Sequence, residues 1–338
     1  MTNFKSYFRY HLKANLKSLL FILAVVVTIT FVIGINSQPR WQYVDALDKV
    51  IVVDYYSTLY LPVTFLCILA YVFPVMEFSF FKKRLHLDCA YSLPISRKNL
   101  GIIHYLTGLI ALLGTFTASY LTNLFLMWSR GPGWFDYLPM IPHYFLSLLL
   151  GVIIYSFMVF IFNEANSSSD GIWFMILYTF VFYLVMGTLC DITNGRFDVD
   201  NPNTLFPWGV IDNMTNTYQR LVELDVIDTS LTFWKNHAFQ LGLIFWLLIG
   251  IAAAVGFFLT FGKRRTEKTE EISDSWFGYR TLIPLYAICL MILLDGDVIF
   301  WIILEVFTLI GYTIYRRGFH YKKSDLIILA LLAIFLLV

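Results

Sequence analysis

Three ionisable side chains stand within or at the ends of long apolar runs of this 338-residue sequence, and they are the first places to look for chemistry. Glu77 closes one apolar run and His104 opens the next, while Glu305 sits in the middle of a third. An isolated charge at the centre of a bilayer costs at least about 2.5 kcal/mol, so each needs a partner, a proton or a polar cavity. Glu77 and His104 can pair across their two runs; separate solvation at a water boundary is the plainer alternative. For Glu305, a structural hydrogen bond competes evenly with a functional role.

Motifs for covalent or hydrolytic chemistry are missing. The one Gly-Lys pair, Gly262-Lys263, is followed by Arg264, and no G-x-x-x-x-G-K-[ST] loop occurs to cradle a nucleotide phosphate. None of the six histidines opens an H-E-x-x-H helix, and no G-x-S-x-G elbow is found. Cys67, Cys89, Cys190 and Cys289 lack zinc-like spacing and read as small buried apolar groups. A non-catalytic chain with no metal or cofactor of its own is the expectation.

The surrounding composition decides what positions these residues. The chain is 59% hydrophobic and only 14% charged, with a mean hydropathy of +0.70. Soluble domains carry about a quarter charged residues, so a bilayer is the solvent that such a sequence requires. A net charge of +1 gives no basic surface for nucleic acid. A span needs about 20 apolar residues, and this predicts nine. They are Leu19–Ile35, Thr58–Phe81, Ile102–Trp128, Ile141–Phe162, Gly171–Cys190, Phe239–Phe261, Trp276–Leu294, Val298–Tyr315 and the short Leu326–Val338. The N-terminus has no small-residue cleavage site after Ile35, so the first span is read as retained rather than as a signal peptide.

Basic residues set the orientation. With the N-terminus inside, 18 of the 24 lysines and arginines fall in inside segments, an asymmetry that favours this arrangement. Within the first 18 residues, Lys5, Arg9, Lys13 and Lys17 recur every fourth position, and Phe4, Tyr7 or Phe8, Leu12 and Leu16 recur at helical spacing, with Leu19 next. That pattern predicts a basic amphipathic helix lying on an anionic leaflet. The large outside loop is Asp191–Asn236, and no inside segment is long enough to be a domain.

The inside stretch between the second and third spans is the most specific. Lys82, Lys83 and Arg84 close one span, and a short helix over about 85–91 follows. Pro94 disfavours helix at Leu93 and ends it, and Ser96 is placed to cap the helix of the third span. A short helix held between two spans is a suitable shape to receive a push from a soluble partner.

This stretch, with its basic run, Asp88, then Ser92-Leu93-Pro94-Ile95-Ser96-Arg97 and an apolar span, resembles the permease subunits of ABC-2-type transporters. The closest likeness is to those of Gram-positive peptide-antibiotic export and resistance systems, and it covers about residues 1–262. The resemblance implies an all-α polytopic membrane protein with three parts: an interfacial helix at 1–18, a six-span core at 19–262, and an extension of two or three membrane helices at 263–338. It implies a bacterial plasma-membrane location and a pair of permeases, of the same or a homologous chain. Two cytoplasmic ATPase subunits would bind ATP and Mg and drive export of an amphipathic peptide, antibiotic or lipid-like substrate. Lys83, Arg84, Leu85, His86, Leu87, Asp88 and Tyr91 would form the ATPase-coupling element. The alternatives from other classes are a membrane sensor or scaffold using the 191–236 loop, and a secondary transporter without an ATPase partner.

Overall fold

The computed structural model describes residues 2–36, 41–44, 49–52, 56–130, 140–192, 237–263, 269–273, 275–293 and 298–337. Its helices are α1 (Thr2–Asn36), α2 (Tyr56–Phe78), α3 (Arg84–Tyr91), α4 (Arg97–Arg130) and α5 (Met140–Glu164). They continue as α6 (Ser168–Ile192), α7 (His237–Thr260), α8 (Tyr279–Leu293), α9 (Val298–Arg316) and α10 (Lys323–Leu337). A short antiparallel ribbon joins α1 to α2: Trp41–Val44 pairs with Lys49–Val52, Trp41 opposite Val52. The outside loop expected at 191–236 lies, from residue 193 onward, outside the described residues.

Seven helices among the described residues are long and apolar enough to cross a membrane, which makes the chain a polytopic helical membrane protein. The sequence predicts nine. The difference lies in α8 and α10, each of 15 residues. At 1.5 Å per residue they reach about 22 Å, short of a hydrocarbon core of about 30 Å. Helix α8 begins at Tyr279 rather than Trp276 because residues 275–278 form a turn, closed by Gly278 N–H donating to the Ser275 carbonyl at 3.0 Å.

The N-terminal residues join the first span. No Pro or Gly interrupts residues 2–33, and α1 runs unbroken for 35 residues, roughly 52 Å. Residues 2–18, expected as an interfacial helix, are thus continuous in one helix with the first span. Side chains of α1 reach the bundle: Tyr7, Leu19 and Ile22 pack against the core.

Helix α5 is the centre of the bundle, with α2, α6 and α7 packed on it, α4 packed on α2, and α1 packed mainly on α4. Packing in lipid depends on close fit rather than on water exclusion, so small residues at crossings matter. At Gly151 of α5 a Cβ would stand 2.7 Å from Leu66 Cδ1 of α2, so only glycine permits this approach. Hydroxyl pairs tie the helices laterally: Thr30 with Ser119 at 2.7 Å, Tyr71 with Thr179 at 2.7 Å, and Tyr105 with Ser156 at 2.7 Å. The C-terminal helices attach at one side. Helix α8 lies on α6, where Tyr286 O–H donates to the Leu177 carbonyl and the Phe174 and Tyr279 rings meet edge to face at 4.9 Å. Ala287, Met291 and Leu304 form a small separate core there.

Candidate functional site

The site is built where α2 ends. Pro62 and Pro74 lie inside α2 and each lacks a backbone donor. Past Phe78 the chain tightens into a 3-10 turn, Ser79–Lys82, before α3 begins. Helix α3 spans Arg84–Tyr91, one residue longer than the sequence predicts. Its two leucines face opposite ways: Leu87 is 3% exposed and joins the core, whereas Leu85 is 78% exposed. His86 packs against the Phe80 ring at 4.8 Å, and the Arg97 guanidinium lies over the Tyr91 ring at 4.2 Å. Asp88 falls within the same helix. Ser96 caps α4 as its position predicts, its Oγ accepting from Asn99 N–H at 3.3 Å.

The basic run before α3 does not act as one patch. Lys83 is exposed. Lys82 is buried, its ammonium donating to the carbonyls of Phe162 at 2.8 Å, Asn163 at 3.1 Å and Ala165. Phe162 and Asn163 are in the last turn of α5 and Ala165 directly follows it, where acceptors are left unsatisfied and the helix dipole favours a cation. Arg84 Nε donates to the Thr269 carbonyl at 3.0 Å, with Glu270 and Glu271 carboxylates at 4.0 and 3.9 Å. Both partners are more than half exposed, so these ion pairs are weak.

The same end of the bundle gathers the segment 269–273. Asn166 N–H donates to Ser273 Oγ at 2.6 Å. Asp170, in the first turn of α6, accepts from Ser273 N–H at 3.1 Å, Ser273 Oγ at 2.9 Å and Tyr279 O–H at 3.0 Å. One carboxylate therefore fastens the C-terminal helices to the α5–α6 turn. The short 163–170 connection, basic-free and unremarkable in sequence, is the anchor.

Immediately inside α3 lies a buried cluster. Glu77 Oε2, in the last turn of α2, is 3.1 Å from His104 Nδ1 of α4, the pairing the sequence suggested. It is also 2.9 Å from His11 Nε2 of α1, which the sequence did not suggest. The two imidazole rings are 4.0 Å apart, and Asn15 Nδ2 lies 3.1 Å from His11 Nε2. A carboxylate only accepts, so with protons alone in the site each imidazole presents an N–H to the same oxygen. Glu77 and His104 are 4% and 6% exposed and His11 13%, so the cluster is least covered on the α1 side. Phe81 meets the His104 ring edge-on at 4.7 Å, and Tyr7 stacks on His11 at 6.1 Å. Gly108 makes room behind: a Cβ there would lie 3.2 Å from Glu77 Cγ and 2.3 Å from Tyr155 Oη.

Glu305 stands apart, half-buried on α9 with no hydrogen bond or ion pair among the described residues. Cys67 and Cys289 are buried free thiols. The side chains of Cys89 and Cys190 lie outside the described residues.

Comparison with family models, with curated proteins and with solved structures found no match to this chain, so what its site does is argued from its own residues.

Proposed function

We propose that the chain is the transmembrane permease subunit of an ABC-2-type exporter, working as a pair of permeases with two separate ATPase subunits. It would sit in a bacterial plasma membrane with its N-terminus in the cytoplasm, and its cargo would be an amphipathic peptide, antibiotic or lipid-like molecule. The observation that carries this reading is α3. It is a two-turn helix between two long helices, rooted by buried Leu87 and by the Lys82 anchor, and it presents Leu85 outward beside exposed Lys83. A short rigid element with an apolar tip and a rooted base can transmit a push from a soluble partner into α2 and α4. The protruding Leu85 fits a hydrophobic groove, and its basic neighbours fit an acidic rim.

The test is purification of the tagged chain from native membranes. The reading expects an ATPase chain to accompany it, with hydrolysis that falls when Leu85→Asp is introduced. Leu85→Asp is a cleaner variant than Leu87→Pro, because Leu87 is part of the core. A chain that transports or binds with no ATPase present overturns the reading.

The His11–Glu77–His104 cluster favours a second reading, a secondary transporter, because buried ionisable residues in membrane helices are used as proton relays. Export that collapses with a protonophore while ATP is held constant selects that reading; export that fails on ATP depletion selects the first.

A further inference from the structure

We propose that His11, Glu77 and His104 form a binding site for a divalent transition metal of the zinc class, joining α1 to α2 and α4 at the root of α3. Nothing in this inference depends on the transporter reading.

The geometry is the first argument. One ligand atom from each residue, His11 Nε2, Glu77 Oε2 and His104 Nδ1, lies within 4.8 Å of the other two. Zinc binds imidazole nitrogen and carboxylate oxygen at about 2.0–2.2 Å, usually as a tetrahedron, so bound ligand atoms stand roughly 3.3 Å apart. The observed nitrogen-to-oxygen separations, 2.9 and 3.1 Å, need open by only a few tenths of an ångström to admit the ion.

The donor set is the second. Two imidazoles and a carboxylate match zinc and its neighbours in the first transition row, whereas magnesium and calcium take shells of oxygen. Three protein ligands leave a fourth position free, on the less covered side at His11. The Asn15 amide, 3.1 Å from His11 Nε2, is a further polar group beside the cluster; a half-turn of that amide presents its oxygen.

Charge is the third. The two imidazole rings, 4.0 Å apart, converge on a single oxygen of the Glu77 carboxylate. A divalent ion accepts a lone pair from each nitrogen and neutralises Glu77, so all three buried groups are satisfied together. Phe81 against His104 and Tyr7 against His11 hold the rings in position, as a site of fixed geometry requires. Sequence reading found no metal site because its motifs are local, and here the ligands are separated by 66 and 27 residues along the chain.

The experiment uses full-length protein in detergent, with any affinity tag removed, stripped with chelator, exposed to excess zinc and desalted. Elemental analysis should find about one zinc per chain in the wild type. It should find a loss of at least tenfold in His11→Ala and in Glu77→Gln, each checked for a monodisperse elution profile. His143→Gln serves as the control, since His143 is buried against Tyr120 elsewhere on α5 and should leave the zinc in place. His11, on the exposed side, is the substitution least able to disturb folding, so the proposal stays testable if Glu77→Gln misfolds. Cobalt in place of zinc should give the visible absorption of a tetrahedral ion, absent in His11→Ala. The proposal is overturned if wild type retains no metal, or if it retains the same amount as a well-folded His11→Ala.

Discussion

The Lys82 ammonium sits in the last turn of α5, 2.8 Å from the Phe162 carbonyl that it caps, and so locks the root of α3 to the centre of the bundle. Two further carbonyls share the same charge, and the Phe162 ring lies 5.1 Å below it. Removing the ammonium strands several buried acceptors at once. We expect Lys82→Met to cost on the order of 2–3 kcal/mol, seen as a lower unfolding midpoint in detergent. Lys83→Met, at the exposed neighbouring position, should leave the midpoint unchanged; equal effects would contradict this division of the basic run.

Gly108 and Tyr155 form a second testable contact. Gly108→Ala places a methyl 2.3 Å from Tyr155 Oη and 3.2 Å from Glu77 Cγ, so it should destabilise the bundle by about 1–3 kcal/mol through overpacking. Tyr155→Phe removes the obstructing oxygen, at the expense of its hydrogen bond to the Tyr105 carbonyl. The double variant should therefore be more stable than the sum of the two single effects, with a coupling of about 0.5 kcal/mol or more. Strict additivity, measured by thermal unfolding of all four proteins, would show that the methyl is accommodated elsewhere.

Asp170 is predicted to hold the C-terminal helices in place. Asp170→Ala removes the acceptor for Ser273 and Tyr279 while leaving every long helix intact. Amide exchange in residues 275–293 should accelerate, with exchange in α2 and α5 unaffected. Truncation after Glu271 keeps the Arg84 contacts to residues 269–271 and removes Ser273 and Tyr279, so it should leave insertion intact and lower stability. Unchanged exchange in Asp170→Ala would assign the attachment to the apolar contacts of α8 on α6 instead.

Parts of this arrangement are legible in the sequence and parts are not. Pro94 and Ser96 announce the end of α3 and the start of α4 because turn and cap chemistry is local. The Glu77–His104 pairing is legible because both residues flank one short connection. His11 is not legible, since its side of α1 is fixed by packing on α2 and α4 rather than by any pattern within α1. Lys82 is misleading for a related reason: its neighbours Lys83 and Arg84 are solvent-exposed, and only the close approach of the α5 terminus decides that Lys82 points inward. The spans at 276–294 and 326–338 read as membrane-crossing from hydropathy. Helix α8 falls short because the turn at 275–278 takes residues from it, and α10, although it starts three residues before the expected apolar run, spans only 15 residues.

Acid should loosen the α9–α10 turn before the rest of the molecule. Burial alone would raise the Asp325 carboxyl. Hydrogen bonds from Arg316 at 2.8 and 3.1 Å and from Lys322 N–H at 3.1 Å outweigh it and hold the group below its ordinary value of 3.8. A carboxyl with a lowered folded-state pKa contributes stability above its unfolded value and loses it as pH falls through the folded one. The stability difference between wild type and Asp325→Asn should thus be constant above about pH 5 and shrink progressively below about pH 4. A difference that does not change across this range would remove the Arg316–Asp325 pair from the account.

The coupling role proposed for α3 is tested most directly by a photo-crosslinking amino acid at position 85, introduced into the chain in its native cells. Leu85 protrudes from α3, whereas Leu248, 62% exposed on the apolar helix α7, provides a matched control site. The account predicts that illumination joins position 85 to a chain carrying a G-x-x-x-x-G-K-[ST] phosphate loop, and that position 248 gives no such adduct. No ATPase adduct at position 85 under conditions where export is active, or equal adducts at both positions, would contradict it.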